Sequence, residues 1–244
     1  MQDTLSLPGI DRKQVILGKN LHFPAYGEDS IISTVFFVTG KRGSGKSWTT
    51  AVMMEEFNRL GLQFVCFDAL DAHGNLKDME GVEALEPKIG QSVDMKALVG
   101  KLGETDKSLV VKLAGLPLLK QQELVADYCE ALLEAHMGKG IHTVFEECQD
   151  FVPQMGRPES FSPIVRLCKL GRSKGYGVAL ISQRPAAVSK EALSARSGLI
   201  LVSPRKFFLV IFASPSKSTL QRSNFWRKYS SCKSLRYSSF SEGL

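Results

Sequence analysis

Along the chain, short continuous apolar runs alternate with longer stretches whose apolar residues fall at helical spacing. Thr34-Val35-Phe36-Phe37-Val38-Thr39 is rich in β-branched and aromatic side chains and predicts a buried strand that ends at Gly40. From Lys46 to Leu60, Val52, Met53, Phe57 and Leu60 share one side of a helix, with Gly61 as its stop. Gln63 to Phe67 predicts a second strand, closed by Asp68, and Ser108 to Leu113 a third, with Lys112 turning its amine outward at a sheet edge. A strand closes at Thr143-Val144-Phe145 and another spans Val178 to Ser182, while 120–137 and 161–174 read as helices. Residues 69–107 are expected to hold a weak strand and a short helix. This alternation implies βαβ units: an α/β fold with a mostly parallel sheet and helices on both faces. The expected organisation is a short N-terminal segment 1–33, one α/β domain over 34–213 with Phe207 to Ala213 as a last strand, and a tail 214–244. Such sheets bind ligands at the carboxyl ends of their strands.

Composition narrows the class. With 43% hydrophobic and 23% charged residues the chain is globular, not disordered, collagen-like or coiled-coil. No run of 18 or more uncharged apolar residues suggests a membrane span, and MQDTLSLPGIDRKQ lacks the apolar core of a signal peptide. Five cysteines (66, 129, 148, 168, 232) form no CxxC pair, which fits a reducing cytoplasm and argues against a disulfide framework or zinc site. The net charge of +6 belongs to the end of the chain: from Ser203 onward eight Lys/Arg accompany one acidic residue, and the remainder carries −1. The same 42 residues hold 11 Ser, and from Ser214 the sequence is polar and basic without periodicity, so disorder is expected. Two readings stay open for this tail. Lys/Arg with Phe225, Trp226, Tyr229 and Tyr237 suit neutralising phosphates and stacking on bases. Alternatively, it is a truncated or frame-shifted end without a function of its own.

Candidate chemistry begins at the first strand. Gly40-Lys41-Arg42-Gly43-Ser44-Gly45-Lys46-Ser47 is a full GxxxxGK[ST] match, after a strand and opening a helix. Glycines let the backbone wrap phosphates with N–H groups and a helix N-terminus facing the anion. Lys46 would reach the β- and γ-phosphates and the Ser47 hydroxyl would ligate Mg²⁺. Trp48, next along, is read as packing in preference to stacking on adenine. Thr143-Val144-Phe145-Glu146-Glu147 ends a strand in two carboxylates; Glu146 is assigned to the metal and Glu147 to the attacking water, the alternative being a solvated pair favoured by a helix dipole. Gln183, in Ile181-Ser182-Gln183-Arg184-Pro185, is placed to sense the γ-phosphate or lytic water, unless the segment is simply a polar turn. Arg172, in Gly171-Arg172-Ser173-Lys174-Gly175-Tyr176-Gly177, is either an arginine finger or a cation at a solvated helix C-terminus. His22, His73, His136 and His142 show no ligand spacing and read as surface or packed residues.

The blocks GKRGSGKS, FEECQDFVPQ and LGRSKGYGVALISQRPAAVSKEAL, in that order, resemble the HerA/FtsK-type P-loop ATPases, and the HerA-like branch most, over about Ile16 to Val202. Phe67-Asp68 and Leu113-Ala114-Gly115-Leu116 are similar to the family as well. The resemblance implies a RecA-like (ASCE) core, with an extra strand between the P-loop strand and the strand bearing the acidic pair. It implies ATP and Mg²⁺ as ligands and a hexameric ring that moves double-stranded DNA, with a nuclease or packaging protein as a further partner. Carried over, Lys46 and Ser47 are the nucleotide and Mg²⁺ residues, Glu146 and Glu147 the acidic pair, Gln183 the sensor and Arg172 the arginine of the GR motif, which favours the finger. Departures are Glu146 where Asp is common, Cys148 where a small Ala is usual, and no room in 33 residues for the N-terminal barrel of cellular HerA. The short form also resembles viral packaging ATPases. The function expected is therefore an ATP-driven DNA-moving ring in the cytoplasm. The other readings are an ATP-dependent switch or assembly protein that never touches nucleic acid, and a truncated nucleotide-binding fragment.

Overall fold

Residues 14–18, 21–25, 30–203 and 206–212 are described by the computed structural model. The basic tail 214–244, with its aromatic residues and Cys232, lies outside the described residues. The apolar runs become strands that bury both faces. β3 (Val35–Gly40), β4 (Gln63–Asp68), β7 (Ile141–Phe145) and β8 (Tyr176–Ser182) are buried almost throughout, as expected where helices cover both sides of parallel strands. With β5 (Val82–Leu85), β6 (Ser108–Lys112), β9 (Gly198–Ser203) and β10 (Lys206–Phe212) they form one sheet in the order β10-β9-β3-β8-β7-β4-β6-β5. All neighbours are parallel except β10, which runs antiparallel to β9 at one edge. β8 lies between the P-loop strand β3 and the acidic-pair strand β7, the arrangement that the resemblance implies.

Because side chains alternate across a strand, the sheet separates two apolar layers. On one face, α1 (Lys46–Arg59) sets Met53, Met54 and Phe57 against Phe36, Phe64, Cys66, Val144 and Ile181. On the other, α2 (Met95–Glu104), α3 (Leu118–Glu134) and α4 (Phe161–Leu170) cover Phe37, Val65, Phe67, Phe145 and Leu180. Phe67 and Phe145 stack with centroids 5.5 Å apart on the paired strands β4 and β7. Truncating either ring to Ala would cost about 3–5 kcal/mol.

Several elements differ from the sequence expectation. Lys112 is not on an edge strand: β6 lies between β4 and β5, and the lysine stands at its carboxyl end, paired with Asp71 at 2.9 Å. The helix expected over 161–174 stops at Leu170 and tightens into a 3-10 turn, Gly171–Lys174. There, a Cβ on Gly171 would lie 2.7 Å from the Tyr176 carbonyl oxygen, and Gly175, at φ +79°, reverses the chain into β8. The weak strand and short helix expected within 69–107 are β5 and α2, the helix capped by Asp94 accepting from the Ala97 N–H. Unanticipated elements are β9 and a hairpin of β1 (Gln14–Gly18) and β2 (Leu21–Pro24). The hairpin buries Val15, Leu17 and Phe23 in the α1 layer and is tied to α1 where the Ile16 N–H donates to Glu56. No helix among the described residues is long and apolar enough to cross a membrane.

His142 is a titratable group inside this core. It is wholly buried on β7, with Nδ1 3.3 Å from the Ile32 carbonyl oxygen and the Phe57 ring 5.0 Å away. Burial pushes its pKa down from 6.5 to about 4. Folding therefore favours the neutral ring. The resulting stability is complete above pH 6.5 and is lost as pH falls toward 4. Between pH 7 and pH 5 the loss from this one group is about 2 kcal/mol. Urea unfolding of the wild type and His142→Leu at both pH values should show the wild type losing that much more than the variant. Equal losses would contradict it.

Candidate nucleotide site

The loop between β3 and α1 is shaped by backbone that only glycine tolerates. A Cβ on Gly40 would stand 2.1 Å from the Val202 carbonyl oxygen of β9. Gly43 and Gly45 adopt φ of +72° and +96°, in the left-handed region. Between them Ser44 Oγ is buried with no hydrogen-bond partner among the described residues, a polar atom left for a phosphate oxygen or water. Lys46 is nearly buried and folds back over the loop, its Nζ donating to the carbonyls of Gly40 at 2.9 Å and Lys41 at 3.1 Å. The first turn of α1 carries no acidic side chain to offset the positive end of its dipole. Lys41 and Arg42 are exposed and Ser47 half-buried. Trp48 is 54% exposed, so its ring is not enclosed in the core.

The acidic pair is buried, which removes the reading of two solvated helix-end acids: Glu146 is 2% and Glu147 8% exposed. Glu146 follows His142 and Val144 on the α1 face of β7. Its Oε1 lies 2.7 Å from His73 Nε2. Asp68, fully buried at the end of the adjacent strand β4, accepts the backbone N–H groups of Leu70, Ala72 and His73 and so holds the turn that delivers that histidine. Glu147 sits at φ +48°, a strained setting for a non-glycine residue. Two glutamines hold its carboxylate: Gln149 Nε2 donates at 2.7 Å and Gln183 Nε2 at 3.2 Å. Gln149 in turn accepts from Ser182 Oγ at 2.6 Å, and Ser182 Oγ accepts the Arg184 N–H at 2.9 Å. Cys148 fills the core on the other face, and burial pushes its thiol pKa up, so it acts as a small apolar residue.

The P-loop, both glutamates and Gln183 thus follow the carboxyl ends of the neighbouring strands β3, β7 and β8. Arg172 is not brought to them. It is exposed on the turn before β8, at the opposite end of that seven-residue strand and roughly 20 Å away. Asp68, His73, Gln149 and Ser182 were not anticipated. His73 is packed, as one sequence reading held, yet it belongs to the site. It and Glu146 are 73 residues apart, so only the pairing of β4 with β7 joins them. Gln149 lies two residues beyond Glu147, the one local cue the sequence offered. Among the described residues no cluster of three or more His, Cys, Asp or Glu could hold a metal. A divalent cation here would rely on the hard oxygens of Ser47 and Glu146 together with nucleotide phosphates and water, a donor set that suits Mg²⁺.

The tight approach at Gly40 is directly testable. Gly40→Ala forces either β9 or the loop to move, and such overpacking costs about 1–3 kcal/mol. The urea midpoint should fall accordingly; a wild-type midpoint would mean that β3 and β9 are less closely packed here.

No protein-family model matches the chain, and no curated protein does. Solved structures do. The genome packaging NTPase of Sulfolobus turreted icosahedral virus 2 in complex with ATP-gammaS aligns at a TM-score of 0.50 and 12% identity, covering 70% of this chain and 74% of that one. The same NTPase in complex with AMPPCP aligns at 0.50 and 10% identity, covering 84% and 89%. This chain has the RecA-like P-loop fold that it shares with that NTPase, the fold that the resemblance to HerA/FtsK-type ATPases implies.

Proposed function

We propose that this chain is an ATP-hydrolysing ring motor of the HerA-like kind that moves double-stranded DNA. The observation that carries the ATPase part is the convergence, at one end of three neighbouring strands, of a phosphate loop and a buried carboxylate held by two glutamines. The ATP analogues held by the viral NTPase of like fold support ATP as the nucleotide.

ATP phosphates would enter the loop 40–47, and the Lys46 amine would exchange the Gly40 and Lys41 carbonyls for β- and γ-phosphate oxygens. Ser47 and Glu146 would hold Mg²⁺, which when bound neutralises charge developing on the phosphates. Glu147 acts as general base. A water oxygen forms a bond to the γ-phosphorus while the bond from that phosphorus to the β–γ bridging oxygen breaks. The water proton passes to Glu147, and ADP and inorganic phosphate leave. Gln183, bonded to Glu147, links the base to β8 and the loop beyond it. Arg172 stands too far from its own P-loop to touch the same nucleotide, so its finger role requires a neighbouring subunit, which is what a ring supplies. Movement of DNA rests on the family resemblance and on a fold shared with a genome packaging enzyme. The core's own charge of −1 adds nothing to it.

Steady-state ATP hydrolysis, with and without linear double-stranded DNA, tests this. Hydrolysis should rise with DNA and fall about 10²–10⁴-fold in Glu147→Gln, while Lys46→Ala should lose nucleotide binding. Hydrolysis indifferent to DNA would favour a switch that works without nucleic acid, and near-normal turnover in Glu147→Gln would move the base elsewhere. Arg172→Ala should abolish turnover alone, and mixing it with Lys46→Ala subunits should restore part of it. Turnover intact in Arg172→Ala would rule out the finger.

A further inference from the structure

Glu146 stands where the ATPases that this chain resembles commonly carry the shorter Asp. The extra methylene adds a rotatable bond, and a carboxylate on a longer stem needs something to fix its direction. The structure supplies it through a three-step clasp. Asp68, fully buried at the end of β4, draws in the N–H groups of Leu70 at 3.2 Å, Ala72 at 3.0 Å and His73 at 2.8 Å. That turn presents His73, itself 2% exposed, and its Nε2 meets Glu146 Oε1 at 2.7 Å. The Glu146 N–H also donates to the Phe67 carbonyl at 3.2 Å, so backbone and side chain are both anchored to β4 and the segment after it.

We propose that His73 is a positioning residue for the ATPase reaction: its bond to Oε1 of Glu146 fixes which carboxylate oxygen is left for the Mg²⁺ that accompanies the nucleotide. The inference rests on the ATPase reading above. It separates His73 from an ordinary packed histidine, because a packed residue would support the fold without governing the cation. Partners of this kind typically change metal affinity 10–100-fold when removed.

Two amide substitutions make the distinction. The amide nitrogen of His73→Gln falls near the position of Nε2 and can still donate to Glu146. That of His73→Asn falls near Nδ1 and cannot reach. The affinity of the full-length chain for a fluorescent ATP analogue is measured in EDTA and across a Mg²⁺ titration. His73→Asn should need at least about tenfold more Mg²⁺ for the same effect and keep its affinity in EDTA, while His73→Gln stays close to wild type. Wild-type Mg²⁺ dependence in His73→Asn, or an equal loss in EDTA and Mg²⁺, would overturn the proposal. A measurement on the wild type alone needs no variant to fold: the His73 Nε2–H proton resonance of the nucleotide-bound chain should shift when Mg²⁺ is added, and an unmoved resonance would overturn the proposal as well. A wild-type chain that binds no nucleotide brings down the ATPase reading itself. One that binds nucleotide through Lys46, with His73→Asn unaltered, removes this inference alone.

Discussion

Two carboxylates are buried at the end of β7, and much of the surrounding structure answers to that constraint. A carboxylate withdrawn from water is costly unless hydrogen bonds replace its hydration. Glu146 and Glu147 meet that requirement differently. Glu146 is held by a histidine delivered from β4, whose turn is held in turn by Asp68. Glu147 is held by the side chains of Gln149 and Gln183, backed by Ser182. The two networks leave from opposite sides of β7, one toward β4 and one toward β8, so the pair sits at the middle of the sheet with each member committed to a different neighbour.

The sheet makes such commitments possible because apolar layers cover both its faces. The buried acids Asp68, Glu146 and Glu147 stand where interior strands end, while His142 and Thr143 are polar groups held inside β7. Close backbone approaches lock β3 against β9 and β8 against the 3-10 turn Ile31–Ser33. Gly40 meets Val202 at the β3–β9 boundary, and a Cβ on Gly177 would stand 2.1 Å from the Ile32 carbonyl oxygen. Bound phosphates would therefore face groups whose spacing is set by strand pairing and not by loop flexibility, the kind of preorganisation that phosphoryl transfer depends on.

Placing Arg172 at the other end of β8 has a consequence for assembly. In the proposed reaction Lys46, Glu147 and Gln183 would act together at the carboxyl ends of the strands, whereas Arg172 lies before the start of β8, at its other end. Under the proposed reading, that separation would tie turnover to contact between subunits.

Much was legible in the chain. The apolar runs announced parallel strands, since only strands covered on both faces can be apolar throughout, and GKRGSGKS announced the phosphate loop, since its glycines and lysine serve a local geometry. Glu146, Glu147 and Gln183 stood out as candidates for the same reason: each lies within two residues of a strand's carboxyl end, where such folds place chemistry. The tertiary structure decided the rest. It buried the glutamates, exposed Trp48, moved Lys112 from a supposed edge to an interior strand, and recruited His73, Asp68 and Ser182. None of these follows from periodicity, because they depend on which strands lie side by side. His73 and Glu146 have no common spacing in sequence, and they meet only because β4 and β7 pair in the sheet. Local chemistry is written in neighbouring residues, whereas burial and partnership are properties of strand order, which the chain acquires only by folding.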